Sequence, residues 1–202
     1  MAPQREKTKT GRAVKRDPRF LTVKQLDDLA NACQPAYKAM TWFLGTTGAR
    51  IGECCAVNVE DVTKRTTGTG KKQVVRWRVR VRKAKSGKGR DVPIPAKVAN
   101  MLDLNRPGTE PLFTSGHGTR IDKDHWRSRV FNVAKGSCSL DITPHDLRHT
   151  AASLMIRSGA TVKDVQNALG HESAKMTLDL YAGWWDDALD DVSDKVNSLL
   201  DI

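Results

Sequence analysis

No run of 18 or more apolar residues occurs in this chain of 202 residues, and nothing at its start has the make-up of a secretory signal. A helix that crosses a bilayer needs about 20 such residues, so the sequence reads as a soluble, non-exported protein with no membrane partner. Cysteine is sparse: Cys33, Cys54, Cys55 and Cys138 show no Cys-x-x-Cys spacing, and the adjacent pair is a poor disulfide candidate. The four are expected to be buried thiols. A glycine-rich nucleotide loop is also lacking. Gly68-Thr69-Gly70-Lys71 is too short for one and stands outside a strand–helix context. Negative charge is in deficit, with 34 Lys+Arg against 23 Asp+Glu and a net +11. That balance suits a protein that sits on a polyanion.

The charge is unevenly placed. Residues 71–90 hold ten basic residues and no acidic one, whereas from Asp179 onward there are seven Asp and one Lys. Within the basic stretch Val75, Trp77, Val79 and Val81 alternate with Arg76, Arg78, Arg80 and Arg82. This period of two predicts a strand with an apolar face and an arginine face. Four arginines in register are expected to form a sheet edge along a phosphate backbone, with Lys83, Lys88 and Arg90 as further DNA contacts. A solvated strand face is the plainer alternative.

Helical patterns surround the strand. One helix starts at Thr22 and runs through Leu26, Leu29 and Ala30. A second carries Tyr37, Met40, Trp42, Phe43 and Leu44 to Gly48. A short strand is expected at Val59–Val62, a return strand at Arg90–Ile94, and helices near 96–104 and 122–135, the latter with Trp126, Val130 and Val133 inward. The expected fold class is α+β, mostly α-helical with a small three-stranded antiparallel sheet. The organisation reads as a basic leader (1–19), a compact catalytic domain (20–185) and an acidic tail helix (186–202) with Leu189, Val192, Val196 and Leu199 at helical spacing.

The second half carries the chemistry. Thr143-Pro144-His145-Asp146 has the form of a helix start, with Thr as cap and Pro at the first position. His145 and Arg148, three apart, share its first turn, where free N–H groups favour a phosphate. A second helix starts at Thr161 and stops at Gly170, so His171 leaves a helix end at a fixed angle; Ser173 caps a third helix that ends near Tyr181. Gly170 and Gly183 bracket that last segment, which suggests a short mobile element rather than core. With an upstream Arg50 and Lys85, the set comprises two arginines, a lysine, two histidines and a phenol. A metal-free enzyme attacking a phosphodiester would need these groups.

Four boxes, in order, resemble those of the tyrosine recombinases, the phage integrase family. They are Thr47-Gly48-Ala49-Arg50-Ile51-Gly52-Glu53, then Lys85 through Asp91-Val92-Pro93, then His145-Asp146-Leu147-Arg148-His149, and last Leu169-Gly170-His171-Glu172 followed by Tyr181. The resemblance spans roughly residues 20 to 185. It implies that Arg50, Lys85, His145, Arg148, His171 and Tyr181 form the active site of a site-specific recombinase, with no metal and no cofactor. By the same resemblance Tyr181 attacks a DNA phosphodiester to give a 3′-phosphotyrosyl link and a free 5′-hydroxyl. Arg50 and Arg148 hold the non-bridging oxygens, His171 donates to the phosphate, and Lys85 protonates the leaving oxygen after swinging in on its Ser86-Gly87 turn. His145 takes or relays the tyrosine proton. Implied partners are double-stranded DNA attachment sites, further copies of the chain in a synaptic tetramer, and accessory bending or directionality proteins, all in a bacterial host cytoplasm. The chain also reads as a catalytic domain separated from DNA-binding domains that precede it in full-length phage integrases, its leader being a linker remnant.

Other readings compete residue by residue. His149 is expected to be a packed or capping residue on the side away from His145, and His117 and His125 surface residues. Glu53 and Asp146 are expected to orient Arg50 and the helix start, and Trp184 and Trp185 to anchor the tyrosine segment. His145 and His149 stand at i and i+4, as in a zinc protease helix, but with Asp where that helix has Glu. A type IB topoisomerase-like activity uses the same residues, and an inactive DNA-binding module is the non-enzymatic alternative.

Overall fold

A computed structural model describes residues 19–82 and 89–183, together with Val196, Asn197 and Leu200. Lys83, Lys85, Lys88, Trp184, Trp185, the leader up to residue 18 and all of the tail but those three residues lie outside the described residues. Among the described residues no helix is long and apolar enough to cross a membrane.

The fold opens on two helices, α1 (Val23–Ala32) and α2 (Pro35–Thr47). Thr22 and Gln25 close a reciprocal capping box at the start of α1. At the end of α2, Gly48 adopts φ 69° and its N–H bonds back to the Leu44 carbonyl at 3.3 Å. A two-residue link then leads to α3 (Ile51–Ala56). The expected strand at Val59–Val62 is a 3₁₀ turn (Val59–Asp61), closed by the Asp61 carboxylate accepting from the Asn58 N–H at 2.9 Å. The first strand starts where that turn ends.

The strands are β1 (Val62–Thr67), β2 (Val74–Val81) and β3 (Arg90–Ile94), antiparallel in the order β1-β2-β3. The arginine strand is therefore the middle strand and not a sheet edge. Val79, Val81, Val92 and Ile94 are buried, and Arg76, Arg78 and Arg80 face outward as alternation predicts. Val75 is 41% exposed because the outer end of the hairpin projects beyond the core.

Helix α4 (Ala96–Ala99) is one turn, shorter than expected. Then α5 (Lys123–His125) and α6 (Asn132–Ser137) flank a π-helical segment, Trp126–Phe131. The wider π turn shifts the helical phase. Trp126, Val130, Phe131 and Ala134 are buried, while Val133, expected inside, is 61% exposed. The chain ends its described core with α7 (Pro144–Arg157), α8 (Val162–Leu169) and α9 (Ala174–Tyr181).

Helix α2 packs on both α1 and α7, and α8 packs on β3 and α9. The main core joins Leu26, Leu29, Met40, Phe43 and Leu44 to Leu147, Phe131 and the sheet valines. A second cluster holds Ala152, Ile156, Val165, Leu169 and Tyr181. The tyrosine segment is thus packed rather than detached: Thr177 and Tyr181 are buried, and it is Met176 and Leu178 that face outward. All four cysteines are free thiols; Cys33, Cys54 and Cys55 are buried as expected, whereas Cys138 is only half-buried.

A Cβ placed on Gly48 would lie 2.5 Å from Leu169 Cδ2, at a φ that side chains rarely adopt. Gly48→Ala should therefore cost about 1–3 kcal/mol of stability. A thermal melt checks this; an unchanged Tm would mean that α2 and α8 separate freely at this contact.

Candidate active site

Helix α7 is held at its start by one carboxylate. Asp146 accepts from the Thr143 N–H at 2.7 Å, the Thr143 hydroxyl at 2.9 Å and the Arg19 N–H at 3.2 Å. Leu21 N–H donates to Thr150 Oγ1 at 2.9 Å, which straps the chain segment before α1 along the same helix. Asp146 is therefore a helix-start residue, as its position suggests.

Arg148 projects from the first turn of α7 into the interior and is 3% exposed. Its Nη1 donates to the Gly48 carbonyl at 2.7 Å, so the end of α2 and the arginine fix one another. Its Nη2 is buried and has no hydrogen-bond partner among the described residues. Burial, with the charges of Arg50 and Arg90, lowers the guanidinium to about 10, and Glu53 and Tyr181 act the other way. A buried cationic N–H without an acceptor is costly, and a bound anion is the natural remedy.

Arg50 caps α3, and its Nη1 donates to Glu53 Oε1 at 2.9 Å while its backbone N–H donates to Oε2 at 2.8 Å. The guanidinium is 44% exposed, so it remains open on one side. Glu53 has a second tie. Arg90 Nη1 and Nη2 donate to its two oxygens at 3.0 and 2.8 Å, and Arg90 Nε donates to the Ala168 carbonyl at 2.7 Å. Arg90 is therefore not on the arginine face with Arg78 and Arg80. It shares parity with Val92 and Ile94 in β3 and points inward, a placement that the period of two already contained. Of the other arginines, Arg82 turns back onto Asp61 and Glu60, Arg80 pairs with Asp91, and Arg76 donates to Thr67 Oγ1.

His171 follows Gly170, whose φ of 67° ends α8. Its Nδ1 lies 2.9 Å from the buried Thr177 Oγ1, which leaves Nε2 for other contacts. Burial, then Arg148, Arg50, His145 and Arg90, lower the ring to about 4, so it is neutral at ordinary pH. Desolvation and then the Arg148 charge lower His145 as well, with Asp146 opposing and Arg50 adding to the fall. These mutual influences place Arg50, His145, Arg148 and His171 in one electrostatic neighbourhood.

Tyr181 is 2% exposed, and its hydroxyl oxygen lies 2.7 Å from Nδ1 of His149. Burial raises the phenol to about 12, with Arg148 pulling the other way. The ring on the phenol is thus His149, not His145. The two histidines do not lie on opposite sides of α7: their rings meet edge to face, 4.8 Å between centroids. Spacing of four residues puts both on one face, and that signal stood in the sequence. Among the described residues no group of three His, Cys, Asp or Glu is placed to hold a metal ion.

Known proteins match this chain. A sequence model described as the phage integrase family covers residues 19–184. Tyrosine recombinase XerC of Bacillus subtilis (strain 168) is 33% identical over 180 residues, 81% of this chain and 56% of its own length. The chain thus spans about half the length of the curated relatives it matches. The catalytic domain of bacteriophage HP1 integrase superposes with a TM-score of 0.63 at 23% identity, covering 83% of this chain and 89% of that one. XerH site-specific recombinase bound to its difH substrate superposes with a TM-score of 0.60 at 19% identity, covering 85% and 54%.

Arg90→Ala should leave the Glu53 carboxylate, 5% exposed, with half its partners, and should cost about 3–5 kcal/mol. Burial alone would raise Glu53; hydrogen bonds from Arg90 and Arg50 outweigh it and hold the carboxyl at about 2, from 4.5. With the folded value below the unfolded one, this stabilisation, about 3 kcal/mol, is complete above the unfolded value and is lost as pH falls from about 4.5 through about 2. Melts across that range should show the loss in the native chain and a much flatter profile in Arg90→Ala; parallel curves would contradict the clamp.

Proposed function

The chain belongs to the phage integrase family, and we propose that it cleaves and rejoins double-stranded DNA at attachment sites by metal-free transesterification through Tyr181. One observation carries the reading: a buried tyrosine hydroxyl stands in the field of an arginine whose buried Nη2 has no partner among the described residues. A phosphodiester oxygen fits that donor, and the phenol that shares its electrostatic neighbourhood supplies the nucleophile. The DNA-bound XerH relative agrees with DNA as the substrate.

In this proposal Arg148 and Arg50 hold the non-bridging oxygens as charge accumulates on them. The remaining task is orientation. Neutral His171, its Nδ1 accepting from Thr177, donates from Nε2 to the same phosphate. His145, at the mouth of the cluster, completes the phosphate's surroundings. The Tyr181 oxygen forms a bond to phosphorus, the bond to the 5′ oxygen breaks, and Lys85 gives that oxygen a proton. The energy of the broken bond is kept in the phosphotyrosyl link, so a second 5′-hydroxyl can reverse the step on another strand. Arg76, Arg78 and Arg80 on the outer sheet face follow the DNA backbone, and Arg82, Lys83 and Lys88 add to the same contact. Arg90 is a positioning residue instead. The catalytic unit is residues 20–185, flanked by the basic 1–19 and acidic 186–202 segments. It works in a synaptic tetramer with accessory bending or directionality proteins, in the bacterial cytoplasm.

A labelled pool of randomised duplexes, nicked so that the short 5′-hydroxyl strand diffuses away after cleavage, tests this. The native chain should yield a denaturation-resistant protein–DNA adduct that maps to Tyr181, and Tyr181→Phe should yield none while still retarding DNA in gels. An adduct in the Phe variant would overturn the assignment. Adduct yield should be the same with EDTA in excess; its loss would point to a metal.

A further inference from the structure

Resting on that reading, we propose that His149 is the general base that takes the proton from Tyr181. The role requires contact with the reacting oxygen, and the only imidazole nitrogen placed on that oxygen among the described residues is His149 Nδ1, at 2.7 Å. Both residues are buried, at 6% and 2% exposure, so water does not compete for the contact. The rings are also fixed against each other, at 5.7 Å between centroids and 67° between planes.

Chemistry supplies the need. A phenol in a dry pocket holds its proton well above neutral pH, and attack on phosphorus by the neutral hydroxyl would place positive charge on its oxygen. An acceptor already in hydrogen-bond contact removes that penalty as the bond forms. In the tautomer with the proton on Nε2, His149 accepts the phenol hydrogen at Nδ1. As Tyr181 Oη bonds to phosphorus, its proton moves to Nδ1, the P–O5′ bond breaks, and the 5′ oxygen is protonated from the other side of the phosphate. The resulting imidazolium lies against the edge-on ring of His145, which is exposed to solvent. Religation runs the same transfer backward, so no proton need be exchanged with water between the steps. Arg50, Arg148 and Arg90 belong to the phosphate side and are fully protonated donors, so none of them can accept this proton.

The anchoring is independent of the phosphate site. His149 sits one turn after His145 on α7, in a helix held by Gly48, Asp146 and Thr150. Tyr181 is seated by Val165 and Leu169 of α8. Two separate elements therefore bring base and nucleophile together, and the contact exists without DNA.

His149→Asn is the test, because the Asn carbonyl can accept the phenol hydrogen bond but cannot take its proton. With a duplex selected from the nicked pool at saturating concentration, adduct formation at neutral pH should fall about 100-fold or more, with DNA retardation and Tm close to native. The variant's rate should climb steadily with pH as tyrosinate becomes available, whereas the native rate levels off. His149→Gly should be slow too, and added imidazole should restore much of its rate, which a purely structural role would not permit. Should the Asn variant fold poorly, His149→Gln and the imidazole rescue answer the same question. Cleavage by a folded His149→Asn protein within a few-fold of native, or faster than native, would overturn the proposal. So would a His149→Gly protein that folds and ignores imidazole. A native chain that forms no adduct at Tyr181 would instead overturn the recombinase reading itself.

Discussion

The Glu53 carboxylate is the tie on which the site depends. It accepts from the backbone and side chain of Arg50 and, in bidentate fashion, from Arg90, which at its third nitrogen holds the Ala168 carbonyl. Three elements far apart in sequence, α3, β3 and α8, are thereby fixed by one nearly buried anion. Arg50 and the helix end that carries His171 are consequently positioned by the same group. A buried ion pair is often neutral for stability when compared with apolar packing. Its value here is geometric: the fork of Arg90 permits one distance between the strand and the two helices. Gly170 has to be glycine both for its φ of 67° and because a Cβ there would stand 3.0 Å from that fork.

Around this tie the protein holds more positive than negative charge in little water. Arg50, Arg90 and Arg148 face one carboxylate, and the cost appears in the lowered values of Arg148, His145 and His171. An anion that enters the site relieves all of these at once. The same field keeps His171 neutral and lowers His145, so the former is a donor and acceptor rather than an additional cation. Preorganisation of this kind puts the electrostatic cost into folding and leaves little rearrangement for the chemical step.

Much of this was legible in the sequence because it rests on short-range rules. The helix starts at Thr22, Thr143, Thr161 and Ser173 and the stops at Gly48 and Gly170 follow from capping chemistry, and the strand pattern at 74–81 follows from alternation. What was misread has particular causes. Val133 was placed inward because a period of 3.6 was carried through a segment that winds as a π-helix. Alternation alone does not say that the arginine strand is central, because strand order is a long-range fact. Arg90 was assigned to DNA by its company in a basic run, although its parity with Val92 put it inside. His149 was set aside although its spacing from His145 put both on one face. Its contact with Tyr181, 32 residues away, needed the packing of α9 on α8 to become visible. For Arg90 and His149, charge or residue type outweighs a periodicity that points the other way.

The placement of Tyr181 has a consequence for control. A nucleophile that shares an apolar cluster with Val165 and Leu169 is delivered by the same packing that fixes the end of α8 and therefore His171. Displacing α9 would remove the phenol from its histidine and the Thr177 hydroxyl from His171 in one motion, because both residues lie on that helix. Nucleophile and phosphate donor are thus gained or lost together. The outward face of α9, with Met176 and Leu178 exposed, leaves the helix held from one side among the described residues. Burial meanwhile raises the phenol to about 12, so its proton is held tightly. Under the proposed reaction, attack requires a phosphodiester seated on Arg148 and a base in contact at the same moment.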